Sequence, residues 1–459
     1  MYNTKLHFHF IGIGGVGMSA IAEILLRQGF RVSGSDLMIN DSCLKLKSLG
    51  ADIFEGHSPK NLQDTVSTVV FSSAVSQDNP EIIEAKTRSI PVLKRAEVLA
   101  ELMRMKYGIA VAGSHGKTTT TSIIGHILDS AGFDPTVIIG GALKKHGASS
   151  GKLGDGDFLV AESDESDKSF LLLKPSIAIV TNIDAEHLSA YSSMAELEQS
   201  FFNFINSVPF YGLAVICVDD PKSRKLAEQY RKRKITYGLS PDANIRGMNL
   251  ARGEYGVTFD IVEKGEFLFS ASISLHGSHN ILNSLAAVCV AKELGIGKEE
   301  IAQALKTFPG VKRRLEVVGK ENEITVISDY AHHPTEIKAT LAAIRPNISG
   351  RLIVVFQPHR YSRTKECFGE FVNAFDLCDH LVVTDIYPAG ENPIPEITSK
   401  GLFSALSHPS KEYCPEIKDL PERVHNLANK GDAILCMGAG TIGKVPYWII
   451  ERLRAGENA

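Results

Sequence analysis

The chain has 459 residues, of which 44% are hydrophobic and 22% charged, and its formal net charge is −4. This length suggests about three domains of ordinary size, and the small net charge argues against bulk binding to nucleic acid or to a membrane surface. No apolar run approaches the roughly 20 residues of a membrane-spanning helix, and the first residues lack the features of a secretory signal. Seven scattered cysteines without a C-x-x-C pair are typical of buried thiols in a reducing compartment, so we expect a cytoplasmic protein.

The first block of the chain has the pattern of a small βα nucleotide-binding unit. Strands are predicted at 6–11, 30–33 and 68–71, and a G-x-G-x-x-G turn at 12–17 leads into a helix that ends near residue 28. Asp36 follows the second strand, a combination typical of nicotinamide-dependent dehydrogenases. Because such a turn binds a diphosphate rather than a nicotinamide, a UDP site is physically equivalent, and both interpretations stay open here.

The second block begins with a predicted helix at 96–105 and a strand at 107–112, which is followed by the sequence GSHGKT. Glycines at such a place let backbone N–H groups approach phosphate oxygens, and the helix N-terminus adds a favourable dipole. Lys117 is placed to reach the β- and γ-phosphates of a nucleotide, and the hydroxyl of Thr118 can bind Mg²⁺. The long pattern G-x-x-x-x-G-K-[ST] fails because Val111 holds its first glycine position, so a plain glycine turn remains the alternative.

Acidic and histidine-bearing segments follow the next predicted strands, at 158–161 and 177–181. Glu162 opens the run ESDESD directly after a strand, which is the position of an acid that helps to hold Mg²⁺ in phosphate-loop enzymes. His187 lies beside carboxylates after the neighbouring strand, where a neutral imidazole suits a metal ion. The alternatives are a solvated acidic loop and a structural histidine.

The rest of the chain continues the α/β pattern with a further strand at 213–217, antiparallel strands within 246–275 and a helix at 279–294. Strands are then predicted at 324–327, 352–356, 380–384 and 433–437. The first two of these end in SDYAHHPTE and QPHRYSRT, whose arginines can bind carboxylate or phosphate in bidentate fashion. Their histidine spacing does not fit a zinc site. We therefore predict three α/β domains with boundaries near residues 95 and 311.

Together these segments resemble the Mur ligases of bacterial cell-wall synthesis over essentially the whole chain. The resemblance rests on GIGGVGMS at 12–19, GSHGKTTTT at 113–121, ESDESD at 162–167, NIDAEHL at 182–188, HGSHNILNSLAA at 276–287, GVKRRLE at 310–316, DYAHHPTEI at 329–337 and QPHRYSRT at 357–364. It implies a fold of class α/β with a Rossmann-like N-terminal domain, a central P-loop mononucleotide-binding sheet and a Rossmann-like C-terminal domain. The UDP-sugar would bind to 1–95, ATP to 96–310 and the amino acid to 311–459.

The resemblance also implies an activity, and it is greatest to the alanine-adding branch of the family. A member of this branch uses ATP and Mg²⁺ to join L-alanine to the carboxylate of UDP-N-acetylmuramate through an acyl phosphate, in peptidoglycan synthesis. The alternative is the recycling branch, which attaches a whole tripeptide to the same sugar acid. Neither a dehydrogenase nor a nucleotide-dependent switch accounts for both the phosphate loop and the C-terminal clusters. We expect a monomer or weak homodimer without nucleic-acid or stable membrane partners.

Carried over by position, the resemblance implies a set of site residues. The expected catalytic residues are Lys117, His187, Arg314 and His333. The expected ATP contacts are Gly113, Ser114, His115, Gly116, Lys117, Thr118, Thr119, Asn280, Asn283, Arg314 and Asp329. The expected UDP-sugar contacts are Gly14, Gly15, Val16, Gly17, Asp36, His57, Ser72 and Ser73. The expected amino-acid contacts are His359, Arg360 and Arg363, and the expected metal ligands are Thr118, Glu162 and His187.

Two departures from the family pattern remain. Several relatives use a carbamylated lysine as a metal ligand shortly after the histidine motif, but residues 188–201 contain no lysine. Lys168 stands where a small residue is common, and the sequence does not indicate its role.

Overall fold

The computed structural model describes residues 6–72, 75–139, 151–184, 190–253 and 256–455, with the side chain of Val16 left out. The chain forms two compact units, which consist of Met1–Ala251, Thr258–Ile273 and Ile281–Pro309, and of Arg252–Val257, Ser274–Asn280 and Gly310–Ala459. Three separate sheets confirm the predicted α/β class. The domain boundaries near residues 95 and 311 stay predictions. Within the described part of the chain, no helix is long and apolar enough to cross a membrane.

The first sheet has five parallel strands in the order β3-β2-β1-β4-β5. They are β1 His7–Ile11, β2 Arg31–Asp36, β3 Asp52–Glu55, β4 Thr68–Phe71 and β5 Val92–Lys94. The helices of this region are α1 Val16–Arg27, α2 Asp41–Ser48 and α3 Pro80–Thr87, followed by α4 Arg95–Arg104. The strand predicted at 30–33 corresponds to β2, which is longer than predicted because it continues to Asp36. This extension brings the side chain of Asp36 to the carboxyl edge of the sheet.

Two helices beside this sheet begin at asparagine caps. Asn40 accepts a hydrogen bond from the backbone N–H of Cys43 at the start of α2, and Asn79 accepts one from Glu81 at the start of α3. The first residue of α3 is a proline. Its missing backbone N–H costs no hydrogen bond, because an N–H at this position has no intrahelical acceptor. These caps fix where α2 and α3 start, and they therefore fix the loops at the carboxyl edge of β2 and β4.

The second sheet has ten strands in the order β15-β14-β13-β12-β11-β10-β6-β9-β7-β8. The strands are β6 Tyr107–Ala112, β7 Thr136–Ile138, β8 Gly151–Lys152, β9 Phe158–Glu162, β10 Ile177–Val180, β11 Leu213–Cys217, β12 Lys234–Gly238, β13 Ile245–Gly253, β14 Gly256–Glu263 and β15 Glu266–Ile273. The helices are α5 Lys117–Ser130, α6 Met194–Asn206, α7 Pro221–Gln229, α8 Ser278–Glu293 and α9 Lys298–Lys306. The strands β9, β6, β10, β11 and β12 are consecutive and parallel. Four of them, β9, β6, β10 and β11, are almost fully buried apolar runs, as expected for a parallel sheet covered on both faces.

The third sheet has six strands in the order β16-β17-β21-β18-β19-β20. The strands are β16 Glu316–Glu321, β17 Ile324–Asp329, β18 Leu352–Phe356, β19 His380–Val383, β20 Lys411–Tyr413 and β21 Ala433–Met437. The helices are α10 Pro334–Ile344, α11 Tyr361–Glu366, α12 Phe368–Phe371, α13 Ser399–Ala405, α14 Leu420–Leu427 and α15 Val445–Ala455. Only β16 runs antiparallel to its neighbour. The loops after β17 and β18 therefore leave the same edge of the sheet.

Candidate functional site

The GSHGKT loop connects β6 to α5 in the middle of the second sheet. β6 lies between β9 and β10, so the ends of both neighbours reach the loop. Gly116 has φ +82°, and a Cβ added to it would lie 2.6 Å from Oδ1 of Asn283. At Gly113, with φ +136°, an added Cβ would lie 2.0 Å from Oγ1 of Thr181. Both glycines are therefore required by backbone conformation and by close approach.

The segment after β10 fixes the conformation of this loop. The backbone N–H of His115 donates to Oδ1 of Asn182 at 2.9 Å, and the hydroxyl of Thr181 donates to the carbonyl of His115 at 2.7 Å. The hydroxyl of Ser114 accepts from the backbone N–H of Asp184 at 2.8 Å. The helix geometry of α5 leaves the N–H groups of its first three residues without an intrahelical acceptor. A braced loop with free helix N–H groups suits a phosphate.

Lys117 is held by four oxygens of the protein. Its ammonium donates to the carbonyls of Gly113 and Ser114 at 2.6 and 3.1 Å and to both carboxylate oxygens of Glu165 at 2.9 and 2.8 Å. Burial acts to lower the pKa of Lys117, but the carboxylates of Glu165, Glu162 and Asp164 outweigh burial and raise it. The lysine is therefore a fixed cation at the start of α5. Glu165, its partner, is a residue that the sequence analysis did not select.

Thr118 and Glu162 meet at the predicted metal position. The hydroxyl of Thr118 donates to Oε2 of Glu162 at 2.9 Å, and both are oxygen groups of the kind that Mg²⁺ prefers. The arrangement therefore fits a magnesium ion beside a phosphate. Thr119 follows in the first turn of α5 and is buried. The third predicted ligand, His187, lies outside the described residues.

The remaining acids of ESDESD have structural partners. Asp164 and Asp167 accept backbone N–H bonds from Ser166 and Ser169, at 2.9 Å each. Lys168, which the sequence left unexplained, adopts φ +62° and forms an ion pair with Glu196 at 2.5 Å. Its ammonium also lies 4.9 Å from the centre of the ring of Tyr191, whose hydroxyl donates to the backbone carbonyl of Glu165 at 2.5 Å. Lys168 thus helps to hold the segment that carries Glu165.

Asn280 and Asn283, the predicted adenine contacts, are both buried near the start of α8. Oδ1 of Asn283 accepts a hydrogen bond from the hydroxyl of Thr120 at 3.1 Å, which ties α8 to α5 beside the phosphate loop. Nδ2 of Asn280 donates to the carbonyl of His276 at 2.8 Å, within the turn that begins α8. Asn283 is therefore brought to the phosphate loop, and the nucleotide contacts of both residues stay predictions.

A cleft of about 600 Å³ opens at the carboxyl edge of the first sheet. Its lining residues are Gly12, Gly14, Gly15, Asp36, Leu37, Asn40, His57, Ser72, Val75, Ser76, Asp78, Asn79 and Pro80. Five of the predicted UDP-sugar contacts are thus brought together, while Gly17 lies against Arg95 instead. Ser73 and the side chain of Val16 lie outside the described part of the chain.

The backbone N–H groups of Gly12 to Gly15 in this turn all donate to oxygens of the protein. Gly12 and Ile13 donate to the carbonyl of Ser35, and Gly15 donates to the carbonyl of Gly12. Gly14 donates to Oδ2 of Asp36 at 2.8 Å, so this carboxylate lies where a dehydrogenase would hold its cofactor. The predicted contacts of this turn with a UDP-sugar stay predictions.

Three predicted residues of the second unit are held by protein contacts. Asp329 accepts hydrogen bonds from the backbone N–H groups of Leu315 and Ala331, at 2.7 and 2.8 Å. The ring of His333 accepts from the N–H of Thr335 at 3.3 Å and caps α10. Arg314 lies 5.4 Å from the ring centre of Tyr330 and forms an ion pair at 3.7 Å with Glu336. Their predicted ribose, catalytic and phosphate contacts stay predictions.

His359 and Arg363, two predicted amino-acid contacts, form one cluster after β18. Nη1 of Arg363 lies 3.4 Å from Nδ1 of His359, whose ring stacks on Tyr387 with centroids 5.7 Å apart. Burial, together with Arg363 and Arg360, lowers the pKa of His359 to about 4. Near pH 7 this histidine is therefore a neutral hydrogen-bonding group, and the arginine carries the positive charge. Arg360 stands at the N-cap position of α11 with φ +68° and is exposed.

His332 is a second half-buried histidine of this cluster, and the sequence analysis did not select it. Its ring centre lies 5.6 Å from that of His359, and burial lowers its pKa to about 3 in spite of the nearby carboxylate of Glu336. Arg313 was also missed, and it lies 4.8 Å from the ring centre of Tyr330 with a hydrogen bond to the carbonyl of Gly438. The sequence signal for His332 was its place among the histidines after a strand, and the signal for Arg313 was its place in the segment GVKRRLE.

Comparisons with known proteins agree with this architecture. Three family models match consecutive parts of the chain: the Mur ligase family, catalytic domain, at 7–107, the Mur ligase middle domain at 111–291, and the Mur ligase, glutamate ligase domain, at 313–440. The UDP-N-acetylmuramate--L-alanine ligase of Syntrophotalea carbinolica is 50% identical over 457 residues, which are 99% of each chain. That of Geobacter sulfurreducens is 50% identical over 465 residues, 100% of each chain.

Solved structures show the same fold. The UDP-N-acetylmuramate-alanine ligase of Thermotoga maritima has a TM-score of 0.85 at 28% identity, and the match covers 98% of this chain and 100% of that one. A murein peptide ligase from Psychrobacter arcticus has a TM-score of 0.71 at 24% identity, over 98% of both chains. The three successive domain matches confirm the predicted three-domain α/β fold. The chain belongs to the Mur ligase family.

Proposed function

We propose that this chain joins L-alanine to the carboxylate of UDP-N-acetylmuramate, in peptidoglycan synthesis, with cleavage of ATP to ADP and phosphate. The observation that carries the proposal is the phosphate loop after β6, where Lys117, Thr118 and Glu162 surround the start of α5. Full-length relatives at about half identity bear the name of this reaction. ATP is the nucleotide of the family, and its use with Mg²⁺ fits the oxygen groups of Thr118 and Glu162.

The reaction follows from the chemistry of the two partners. An oxygen of the sugar-acid carboxylate attacks the γ-phosphorus of ATP, the bond to the bridging oxygen breaks, and ADP leaves. The amine of alanine then attacks the acyl carbon, loses a proton and expels phosphate. The ammonium of Lys117 and the N–H groups at the start of α5 stabilise the charge on the transferring phosphoryl group. Mg²⁺ bound at Thr118 and Glu162 would neutralise further charge where two anions meet.

The second unit supplies the amino-acid contacts in this proposal. Arg363 is a fixed cation that can bind the carboxylate of alanine in bidentate fashion. His359 is neutral because its pKa is lowered to about 4, so it contributes a hydrogen bond without adding charge. Arg360 is exposed at the start of α11, where it can reach a ligand from the solvent side. The cytoplasmic location and the monomeric or weakly dimeric state stay predictions.

Phosphate release from ATP tests the proposal when UDP-N-acetylmuramate is present with L-alanine, with the tripeptide, or with neither. We expect release only with L-alanine. Phosphate release with the tripeptide but not with L-alanine would assign the chain to the recycling reaction. Phosphate release when neither L-alanine nor the tripeptide is present would contradict the proposal that the chain is a ligase.

The variant Lys117→Ala links that activity to the phosphate loop. We expect turnover to fall about a hundredfold or more, because one preorganised cationic donor is lost from the transition state. Binding of UDP-N-acetylmuramate, measured by calorimetry, should be unchanged, since its predicted contacts belong to the first sheet. Lys298→Ala, at an exposed lysine of α9, is the matched control and should retain full turnover.

A further inference from the structure

A buried carboxylate lies beneath the cleft of the first sheet. Glu81, in the first turn of α3, is fully buried, and its two oxygens accept four hydrogen bonds. Oε1 accepts from the backbone N–H of Ser58 at 3.1 Å and from Nδ2 of Asn61 at 2.6 Å. Oε2 accepts from the hydroxyl of Ser35 at 2.6 Å and lies 3.3 Å from Nε2 of His9.

These contacts keep Glu81 ionised near neutral pH. Burial acts to raise its pKa, but the hydrogen bonds from His9, Ser35 and Asn61 outweigh burial and lower it. An ionised carboxylate can only accept hydrogen bonds, so the single proton of the Ser35 hydroxyl is committed to Glu81. The oxygen of Ser35 is then left with acceptor capacity alone.

The hydrogen bond from the Ser35 hydroxyl to Glu81 determines the tautomer of His57. Nδ1 of His57 lies 2.9 Å from the Ser35 hydroxyl oxygen. Because that oxygen has no proton left to give, Nδ1 must carry the proton and donate it. In a neutral imidazole the other nitrogen, Nε2, is then an acceptor, and it has no hydrogen-bond partner among the described residues. His57 lines the cleft, so this lone pair is available to a ligand.

The positions of the protons can also be assigned for the histidines and the serine on the other side of Glu81. Nε2 of His9 must donate to Glu81, and in the neutral form of this ring Nδ1 accepts from Ser33, whose oxygen lies 2.8 Å away. Ser33 then accepts from Nε2 of His7 at 2.9 Å, and burial lowers the pKa of His7 to about 4, so that ring is neutral. With His9 neutral, each hydrogen bond of this buried chain is donated towards Glu81.

We propose that Glu81, through Ser35, is a positioning residue that fixes His57 as the Nδ1–H tautomer, so that Nε2 accepts a hydrogen bond from an N–H or O–H group of the nucleoside part of the ligand. A diphosphate cannot satisfy this nitrogen, because its oxygens are acceptors at neutral pH. The inference rests on the proposed function for its ligand, a uridine diphosphate sugar. The candidate donors are the imide N–H of the uracil ring and the ribose hydroxyls.

The tautomer can be measured without any ligand or turnover. We expect ¹⁵N spectra of the histidine-labelled full chain at about pH 8, where an unperturbed imidazole is neutral, to show a protonated Nδ1 for His57. The His57→Gln variant assigns the signal. A protonated Nε2 in the free wild-type protein would overturn the proposal, whatever reaction the enzyme performs.

Glu81→Gln should reverse the tautomer. The N–H groups of Ser58 and Asn61 can only donate, so the new amide oxygen faces them. The amide N–H₂ then faces Ser35 and Nε2 of His9, and this nitrogen of His9 becomes an acceptor. Ser35 then gives its proton to Nδ1 of His57, and Nε2 becomes a donor. Glu84→Gln, on the same helix and outside this chain of hydrogen bonds, is the matched control and should leave the tautomer unchanged. If Glu81→Gln does not fold, Ser35→Ala removes the same link and should give a mixture of the two tautomers.

Binding of UDP completes the test, since it needs neither ATP nor alanine. Calorimetry should show an affinity about five- to a hundredfold lower for Glu81→Gln, because a donor then faces a donor in a desolvated contact. UDP analogues with N3-methyl uracil or with 2′-deoxyribose identify the donor on the ligand. The analogue without this donor should bind the wild type weakly, and its affinity should not change in Glu81→Gln. Equal UDP affinity of wild type and Glu81→Gln, with a reversed tautomer, would show that His57 does not accept from the nucleoside.

Discussion

At the scale of single residues, the four acids of ESDESD have three different tasks. Glu162 meets Thr118, Asp164 and Asp167 cap backbone turns, and Glu165 pairs with Lys117. Burial raises the pKa of Glu165 to about 7, while the ammonium of Lys117 acts in the opposite direction. Because each ion would be strongly destabilised alone in this site, the pair holds the lysine in place before a nucleotide arrives.

The variant Glu165→Gln should destabilise the protein. Removal of one partner of a buried ion pair leaves an uncompensated charge, which costs about 3–5 kcal/mol. We expect a lower thermal unfolding midpoint and a weaker response of that midpoint to ATP. The control is Asp167→Asn, an exposed acid of the same segment that accepts a hydrogen bond from the backbone N–H of Ser169. Equal midpoints for wild type and Glu165→Gln would show that Glu165 is not the counter-ion of Lys117 in solution.

At the scale of elements, the phosphate loop depends on the contact between α5 and α8. Gly116 ends the loop in a left-handed conformation, and Asn283 from α8 lies so close that no Cβ fits between them. The strand–loop–helix unit is therefore completed by a helix more than 160 residues further along the chain. A local sequence pattern identifies the loop, but it does not identify the residue that covers it.

Gly116→Ala and Gly132→Ala separate backbone strain from this contact. Both glycines have φ near +80°, but a Cβ at Gly132 meets no atom within 4 Å. Each substitution should cost about 1–2 kcal/mol from the left-handed backbone. Gly116→Ala should additionally displace Asn283 and abolish the stabilisation of the protein by ATP in a thermal unfolding assay. An ATP response that survives in Gly116→Ala would argue against the close contact with Asn283.

At the scale of the whole molecule, each of the three sheets has polar loops at its carboxyl edge. Parallel α/β sheets bind ligands at this edge because the strand ends and helix N-termini meet there. The glycine-turn cleft belongs to the first sheet, the phosphate loop to the second, and the histidine–arginine cluster to the third. The division of the chain into 1–95, 96–310 and 311–459 predicts that each of the three ligands binds mainly to residues of one range.

Hydrogen exchange can test that division. We expect UDP-N-acetylmuramate alone to slow exchange in peptides from β1, α1 and β2, and a non-hydrolysable ATP analogue to slow it in β6 and α5. Bound ligands reduce local opening, so protection marks the binding elements. Protection of β6 and α5 by the UDP-sugar alone, without protection of β1 and β2, would contradict the assignment of the two ligands.

The sequence by itself determined the class of fold, the family and most strand positions. The strands at 68–71, 107–112, 213–217, 352–356 and 433–437 have the predicted bounds. Each is a short apolar run between glycine or polar turns, which is the pattern of a buried strand. The phosphate loop was also identified locally, since glycine conformation and the following helix are properties of adjacent residues. In each case the physical information is contained within about ten residues of chain.

Only the tertiary structure decided which polar groups meet. The order of strands places β9 and β10 beside β6, and this order brings Glu162 and Thr181 to the loop. Nothing in the local pattern distinguishes Glu165 from the other acids, or Glu81 from other helix glutamates, because their partners lie tens of residues away. A buried carboxylate is stabilised only by donors that the fold delivers. The tautomer of His57 is therefore a property of the folded molecule.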